Sequence, residues 1–230
     1  ERPMRRGAKP GKAKVKARPP VARKSPKTEA SGHRELEKRL AESLEREKTT
    51  GELLQEKDRA LAEALEQQTA TAEILRVISL SGTDAQPVFD AIAESALRLL
   101  HGWGAMVVRV DGGLLHLAAI CGGVPGSDQT LRERFPLPVG RAVFSGAAVL
   151  DREVKQIADI EAEERWTELR RNARVRGWRA AIAVPILQNW QSIGAINVTR
   201  SEPGAFTGQE VELLKTFAEQ AVIALENVRR

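Results

Sequence analysis

An α+β fold is predicted for this chain by three features of its sequence. A Pro-free stretch of strong helix formers fills residues 34–80, two pairs of apolar runs read as hairpins, and a capped amphipathic helix closes the chain. The 230 residues, 42% of them hydrophobic, allow one ordinary domain plus extensions.

Composition narrows the setting. The single cysteine, Cys121, excludes a disulfide framework and a four-thiolate zinc site, and it fits a reducing compartment. The longest apolar run, Ala180 to Leu187, contains Pro185 and is too short to span a bilayer. No charged-then-apolar signal opens the chain, so a cytoplasmic location is expected. Because it begins at Glu1, the chain reads as a piece of a longer protein.

The formal charge of +5 is unevenly spread. Residues 1–30 hold 11 Lys and Arg against Glu1 and Glu29, a net +9 that leaves −4 for the remainder. Five of the 11 prolines lie there too, and large apolar side chains are nearly absent. Such a segment cannot bury enough surface to offset its ordering entropy, so residues 1–32 are expected to be a disordered basic tail or linker. It has no aromatic for base stacking and no amphipathic pattern for a bilayer surface. A solvated, self-repelling linker is therefore favoured over contact with nucleic acid or membrane.

Residues 33–80 are expected to form one long helix. Leu40, Leu44, Leu54, Leu61, Leu65, Ala72 and Leu75 follow a 3–4 spacing, broken by Glu47, Gly51, Asp58 and Gln68. A thin apolar seam on a charged rod is the pattern of a coiled coil, and pairing with a second copy would supply the support that a lone helix lacks. Thr49-Thr50-Gly51 is the point where the rod is expected to split.

Residues 81–230 read as the globular part. Pro87 marks an early helical position, followed by the apolar face of Val88, Phe89, Ile92, Ala93, Ala96, Leu97 and Leu100. Ala105–Val110 and Leu114–Ile120, joined by Asp111-Gly112-Gly113, predict a hairpin. A loop is expected from Gly122 to Pro138, then a short helix over 142–149, a strand over 154–158 and a helix over 162–176. Ala180–Leu187 and Ile193–Thr199 predict central strands joined by the five residues 188–192. Thr207-Gly208-Gln209-Glu210 fits a capping box opening the last helix. In that helix Leu214, Ala221 and Leu225 fall at coiled-coil spacing, with Val211, Phe217 and Val222 suited to face the sheet. A parallel homodimer is expected, with its seam on Leu61, Leu65, Leu75, Leu214, Ala221 and Leu225.

The run Val184-Pro185-Ile186, the strand Ile193-Gly194-Ala195-Ile196-Asn197-Val198, and Phe206-Thr207, Glu210, Leu213-Leu214, Phe217-Ala218, Gln220-Ala221 and Ala224 together resemble a GAF domain. The segment Glu66 to Leu75 is similar to the leading helix of such domains in proteobacterial sensor histidine kinases. The resemblance spans about Glu73 to Arg229. It implies a six-stranded antiparallel sheet, with helices on one face that pack into a dimer. On the other face, loops and short helices would close over a ligand cavity, with Cys121, Phe144 and Trp166 as candidate lining residues. It also implies a regulatory sensory module linked to an output domain, such as a kinase or cyclase, outside this chain.

The ligand itself is not legible. Of the cyclic-nucleotide signature of the family only Phe206 and Glu210 stand, with Arg200-Ser201 where Asn-Lys would be. Cys121 is followed by Gly122 rather than His, so no bilin attachment is expected. One cysteine also cannot both form and resolve a sulfenic acid, as the sulfoxide-reducing members must. His33, His101 and His116 have no metal-ligand spacing, and no phosphate loop, nucleophile elbow or phospho-acceptor motif is present. No enzymatic activity is expected of the chain. A ligand-free dimerisation scaffold and a nucleic-acid-associated protein acting through its basic tail are the other readings.

Overall fold

The computed structural model describes residues 26–81, 84–124 and 126–229. The chain divides into two units, Glu1–Asp58 and Arg59–Arg230.

All described structure of the first unit belongs to helix α1 (Pro26–Leu80). The helix begins inside the segment read from sequence as tail, which corrects that boundary for residues 26–32. Proline suits a first helical turn, where no N–H partner is needed, and the residues after it include ordinary helix formers. Residues 1–25, with the rest of the expected basic tail, lie outside the described residues. Nor does the helix split at Thr49-Thr50-Gly51. The Thr49 hydroxyl donates to the Glu45 carbonyl at 2.8 Å and Thr50 to that of Arg46 at 2.7 Å, so both threonines satisfy themselves along the helix.

The second unit starts at Arg59, earlier than residue 81, because the end of α1 belongs to the domain core. Ala70, Ile74 and Ile78 are buried there. Full burial of an isoleucine is worth roughly 1.5–3 kcal/mol, enough for two of them to hold a helix end in place.

The remaining elements follow in order: α2 (Gln86–Leu99), β1 (Gly104–Asp111), β2 (Leu114–Gly122), α3 (Ser127–Arg134), β3 (Leu137–Pro138), α4 (Phe144–Asp151) and β4 (Lys155–Ile157). Two short 3-10 turns, Ile160–Ala162 and Glu164–Trp166, precede α5 (Thr167–Arg176), β5 (Ala180–Gln188), β6 (Gln191–Arg200) and α6 (Gly208–Arg229). Three local readings change. The expected loop contains α3 and β3, the expected helix over 162–176 keeps only 167–176, and the central hairpin turns on two residues rather than five. Asn189 and Trp190 form that turn with φ of +50° and +64°, the left-handed pair that matches the twist of the strands.

The six strands form one antiparallel sheet in the order β3-β2-β1-β6-β5-β4. Alternation along the strands divides two cores. On the helix side, Val107, Ile182, Val184, Ile186, Ile196 and Val198 pack with α2, α6 and the end of α1. On the distal side, Ala181 and Ala183 pack with α4, the 3-10 turns and α5, while Val108, Leu115 and Ala195 form a second cluster with Val149. Gly194 is required where β6 crosses β1, since a Cβ there would come within 2.3 Å of the Val108 carbonyl oxygen.

Leu214, Ala221 and Leu225, expected on a dimer seam, are buried in the helix-side core of their own protomer. The heptad spacing on α6 serves the sheet, because an amphipathic helix shows the same spacing whichever apolar surface it meets. The expectation for Phe217 holds, as it is fully buried beside them. By contrast Leu61, Leu65 and Leu75 are 69%, 61% and 44% exposed, so the α1 stripe is open.

Candidate functional site

Chemistry in the distal layer centres on one strand position. Asn197 stands in the middle of β6, paired in register with Met106 of β1 and Ala183 of β5. It is only 4% exposed, and no protein group hydrogen-bonds to either its Oδ1 or its Nδ2. Leaving a buried polar group unpaired costs about 1–3 kcal/mol, so a carboxamide kept in a central apolar strand is an expensive choice for stability alone.

Asn197 borders a cavity of about 30 Å³ at the end of the sheet, lined also by Trp103, Met106, Arg176, Trp178 and Thr199. Room on this scale takes about two water molecules or the tip of a small ligand. Thr199 is already engaged, donating its hydroxyl to the Gly104 carbonyl at 3.1 Å. No carboxylate lines the cavity among the described residues.

Two tryptophans shape the walls. The Trp103 backbone is clamped on both sides: its N–H donates to Thr199 and its carbonyl accepts from Gly123, each at 2.6 Å. Its indole Nε1–H donates to the Arg176 carbonyl at 2.7 Å, closing the side of the cavity next to α5. The ring lies against Gly177, which ends α5 at φ +72°; a Cβ there would sit 3.6 Å from the indole. Trp178 follows directly and is buried.

The segment carrying Trp178 is pinned by ion pairs. Arg179 grips Asp159 through Nε at 2.8 Å and Nη2 at 2.6 Å, and its backbone N–H donates to the Arg200 carbonyl. Hydrogen bonds from Arg179, and then from the Glu161 backbone N–H, hold the Asp159 carboxyl below the usual carboxylate range. Arg174 does the same for Glu161. Asp159 and Glu161 are therefore structural partners of arginine.

The residues expected to line a pocket are placed differently from one another. Cys121 is half-buried at the end of β2, opposite Ala105, and borders the cavity while packing against the helix-side core. Phe144 and Trp166 do not line the cavity. They fill the distal layer as a T-shaped pair, ring centroids 5.8 Å apart at 84°. Trp103 and Trp178 are among the four tryptophans that sequence reasoning weighs as cavity-lining aromatics, whereas it does not single out Asn197 as a site residue. The available signal was a lone carboxamide within the apolar run Ile193 to Val198.

These features combine a helical layer on one face of a central antiparallel sheet with a small cavity under short helices on the other. The GAF domain family model matches residues 82–226, and the chain belongs to that family. No curated protein matches it. Among solved structures, it is similar to residues 122 to 287 of a methyl-accepting chemotaxis protein, with 21% identity over 70% of this chain and 96% of that one, TM-score 0.55. It is similar to a free methionine-R-sulfoxide reductase from Neisseria meningitidis in complex with its substrate, with 19% identity over 73% and 92%, TM-score 0.58. A domain assigned to a two-component sensor histidine kinase from Sinorhizobium meliloti gives 17% identity over 62% and 90%, TM-score 0.50. At these identities the likeness is one of fold. Among the described residues no helix is long and apolar enough to cross a membrane. The family match makes this a GAF domain, a module of the sensory regulatory kind.

Proposed function

We propose that the chain is the cytoplasmic GAF portion of a sensor histidine kinase, one that forms a parallel homodimer along α1 and transmits the state of a small-molecule site to its helices. The observation that carries this reading is the double face of α1. Ala70, Ile74 and Ile78 root it in the domain core while Leu61, Leu65 and Leu75 stay exposed. A helix built this way passes any shift of the core to whatever pairs along its outer stripe. The sensor-kinase likeness supports the choice of output, which would be covalently linked and supply the catalysis; with one cysteine, this chain is read as non-enzymatic.

A ligand-free dimerisation scaffold is the second reading, favoured by the small cavity and by the Phe144–Trp166 pair that fills the layer beside it. Native mass spectrometry of the purified chain separates the two. A dimer carrying a defined extra mass is the expected result, and a bare dimer would support the scaffold. A monomer, or a dimer unaffected by Leu61→Lys with Leu65→Lys, would overturn the α1 interface.

A further inference from the structure

We propose that the open edge of β5 takes an extended peptide of a partner protein as a seventh strand. The peptide runs antiparallel to β5, with a cationic residue toward its N-terminus and a carboxylate toward its C-terminus. The inference concerns the rim of the sheet and is independent of what either face of it binds.

Strand β5 is nine residues long and β4 covers only its first half. Lys155, Gln156 and Ile157 pair with Ala183, Ile182 and Ala181; from Val184 to Gln188 no strand among the described residues lies on the outer side. An unpaired sheet edge is a template for another strand. Pro185 stands in that stretch, and a strand keeps proline where its missing N–H faces no neighbour. The edge therefore lacks one donor, so ladder hydrogen bonds alone do not hold every strand and side chains must select. The edge forms the floor of a groove of about 420 Å³, with Lys215, Ala218 and Glu219 of α6 as one wall and Arg152 to Val154 at its rim. Leu187 is 37% exposed within it.

The groove has a charge direction. Helix α6 follows β5 lengthwise: Lys215 and Glu219 line the groove with Val184, and Glu226, two turns beyond Glu219, accepts from Gln188 Nε2 at 2.9 Å. The end toward β4 is thus basic, with Arg152 and Lys215, and the end toward Gln188 is acidic, with Glu219 and Glu226. Lys215 pairs with Glu212, and Glu153 with Lys155. Arg152 and Glu219 have no ion partner among the described residues. Arg152 also ends α4 at φ +57°, a left-handed position that favours glycine, so a charged side chain stands there against the backbone preference. A strand antiparallel to β5, as β4 and β6 are, begins beside Gln188 and ends beside β4. Its first residues bring a cation to Glu219, its last bring a carboxylate to Arg152, and an apolar residue between them covers Leu187. A second copy does not fit, because its own α6 and its own Arg152–Val154 segment would meet those of the first. Residues 1–25 hold one carboxylate, Glu1, at the end where the cation is needed, so that part of the chain is not the occupant.

The test is fluorescence anisotropy of the full chain with two peptides of equal composition, Lys-Val-Thr-Val-Thr-Val-Asp and its reverse, each labelled with fluorescein through an N-terminal Gly-Gly and amidated. Saturable binding of the first, at least tenfold tighter than the reverse, is expected. Leu187→Lys, at an exposed position, should weaken that binding at least tenfold. Arg152→Glu combined with Glu219→Lys should invert the preference and leave the melting temperature unchanged, because neither side chain has an ion partner to lose. Absence of saturable binding, equal binding of the two peptides, or a preference that survives the charge exchange would overturn the proposal. Sedimentation showing self-association that Leu187→Lys abolishes would give the edge to a second copy and overturn it as well.

Discussion

Arg200 sits over the Phe206 ring, its guanidinium carbon 4.2 Å from the centroid, and pairs with Glu210 in the first turn of α6. The same guanidinium donates to the Leu100 carbonyl at the end of α2, at 2.9 and 2.7 Å. Glu210 meanwhile accepts the Thr207 backbone N–H at 2.7 Å, and its own N–H donates to the Thr207 hydroxyl at 3.3 Å. One arginine at the end of the strand that carries Asn197 thus ties α2 and the start of α6 to the sheet.

Removing that tie should be costly. Arg200→Met is expected to destabilise the fold by about 2–4 kcal/mol, since it strands the Glu210 carboxylate and the Leu100 carbonyl together. Urea unfolding followed by circular dichroism reads this directly. Loss below 0.5 kcal/mol, on the order of an exposed surface pair, would show the cluster to be ornamental.

Gly194→Ala should also destabilise, by about 1–3 kcal/mol, because the new methyl meets the Val108 carbonyl at 2.3 Å and β1 must move away from β6. The same change at Gly51, where nothing stands within 4 Å, should be neutral or slightly stabilising. Parallel thermal melts of the two variants check the contrast.

Trp166 provides a test of whether the distal layer is packed or lines a site. Trp166→Ala should cost roughly 3–5 kcal/mol through the lost burial and the cavity left beside Phe144. If Trp166 lined a ligand site instead, truncation would change binding more than stability. Denaturation and native mass spectrometry of the same variant distinguish the outcomes.

Acid should loosen the distal layer. Hydrogen bonds from Lys155 and then Arg141 lower the Asp151 carboxyl to about 2, while Asp159 and Glu161 are held down by Arg179 and Arg174. At Glu210, burial pushes the carboxyl up, but the Thr207 and Arg200 hydrogen bonds outweigh it and the net direction is down. A lowered folded-state pKa means that the stabilisation is complete above the unfolded value and is lost as pH falls through the folded one. Melting temperature should therefore fall between about pH 5 and about pH 2, and Asp151→Asn should flatten the lower part of that decline. A profile identical to wild type would contradict the role given to Asp151.

Local chemistry was legible wherever one residue type decides one backbone choice. Gly112-Gly113 turn the first hairpin at φ +55° and +79°, and Thr207 with Glu210 caps α6 as their spacing implies. The helix Ser127–Arg134 was not legible, because its residues form no apolar stripe for a periodicity to report. The packing of Phe144 against Trp166 was not legible for a related reason: an aromatic is recognisable as buried before it is recognisable as packed or lining.

By itself, the sequence determined five of the six strands, the capped helix α6 and the family, since alternation, turn residues and caps act over a few neighbouring positions. Tertiary structure alone decided which surface each apolar stripe meets and where a polar group is left without a partner. Leu214 and Leu61 share the same kind of spacing, yet one lies in the core and the other is open, because helix periodicity records that a face is apolar and not what covers it. The same holds for Asn197: only the pairing of β6 with β1 and β5 places its carboxamide in the middle of the sheet, where both of its atoms go unanswered.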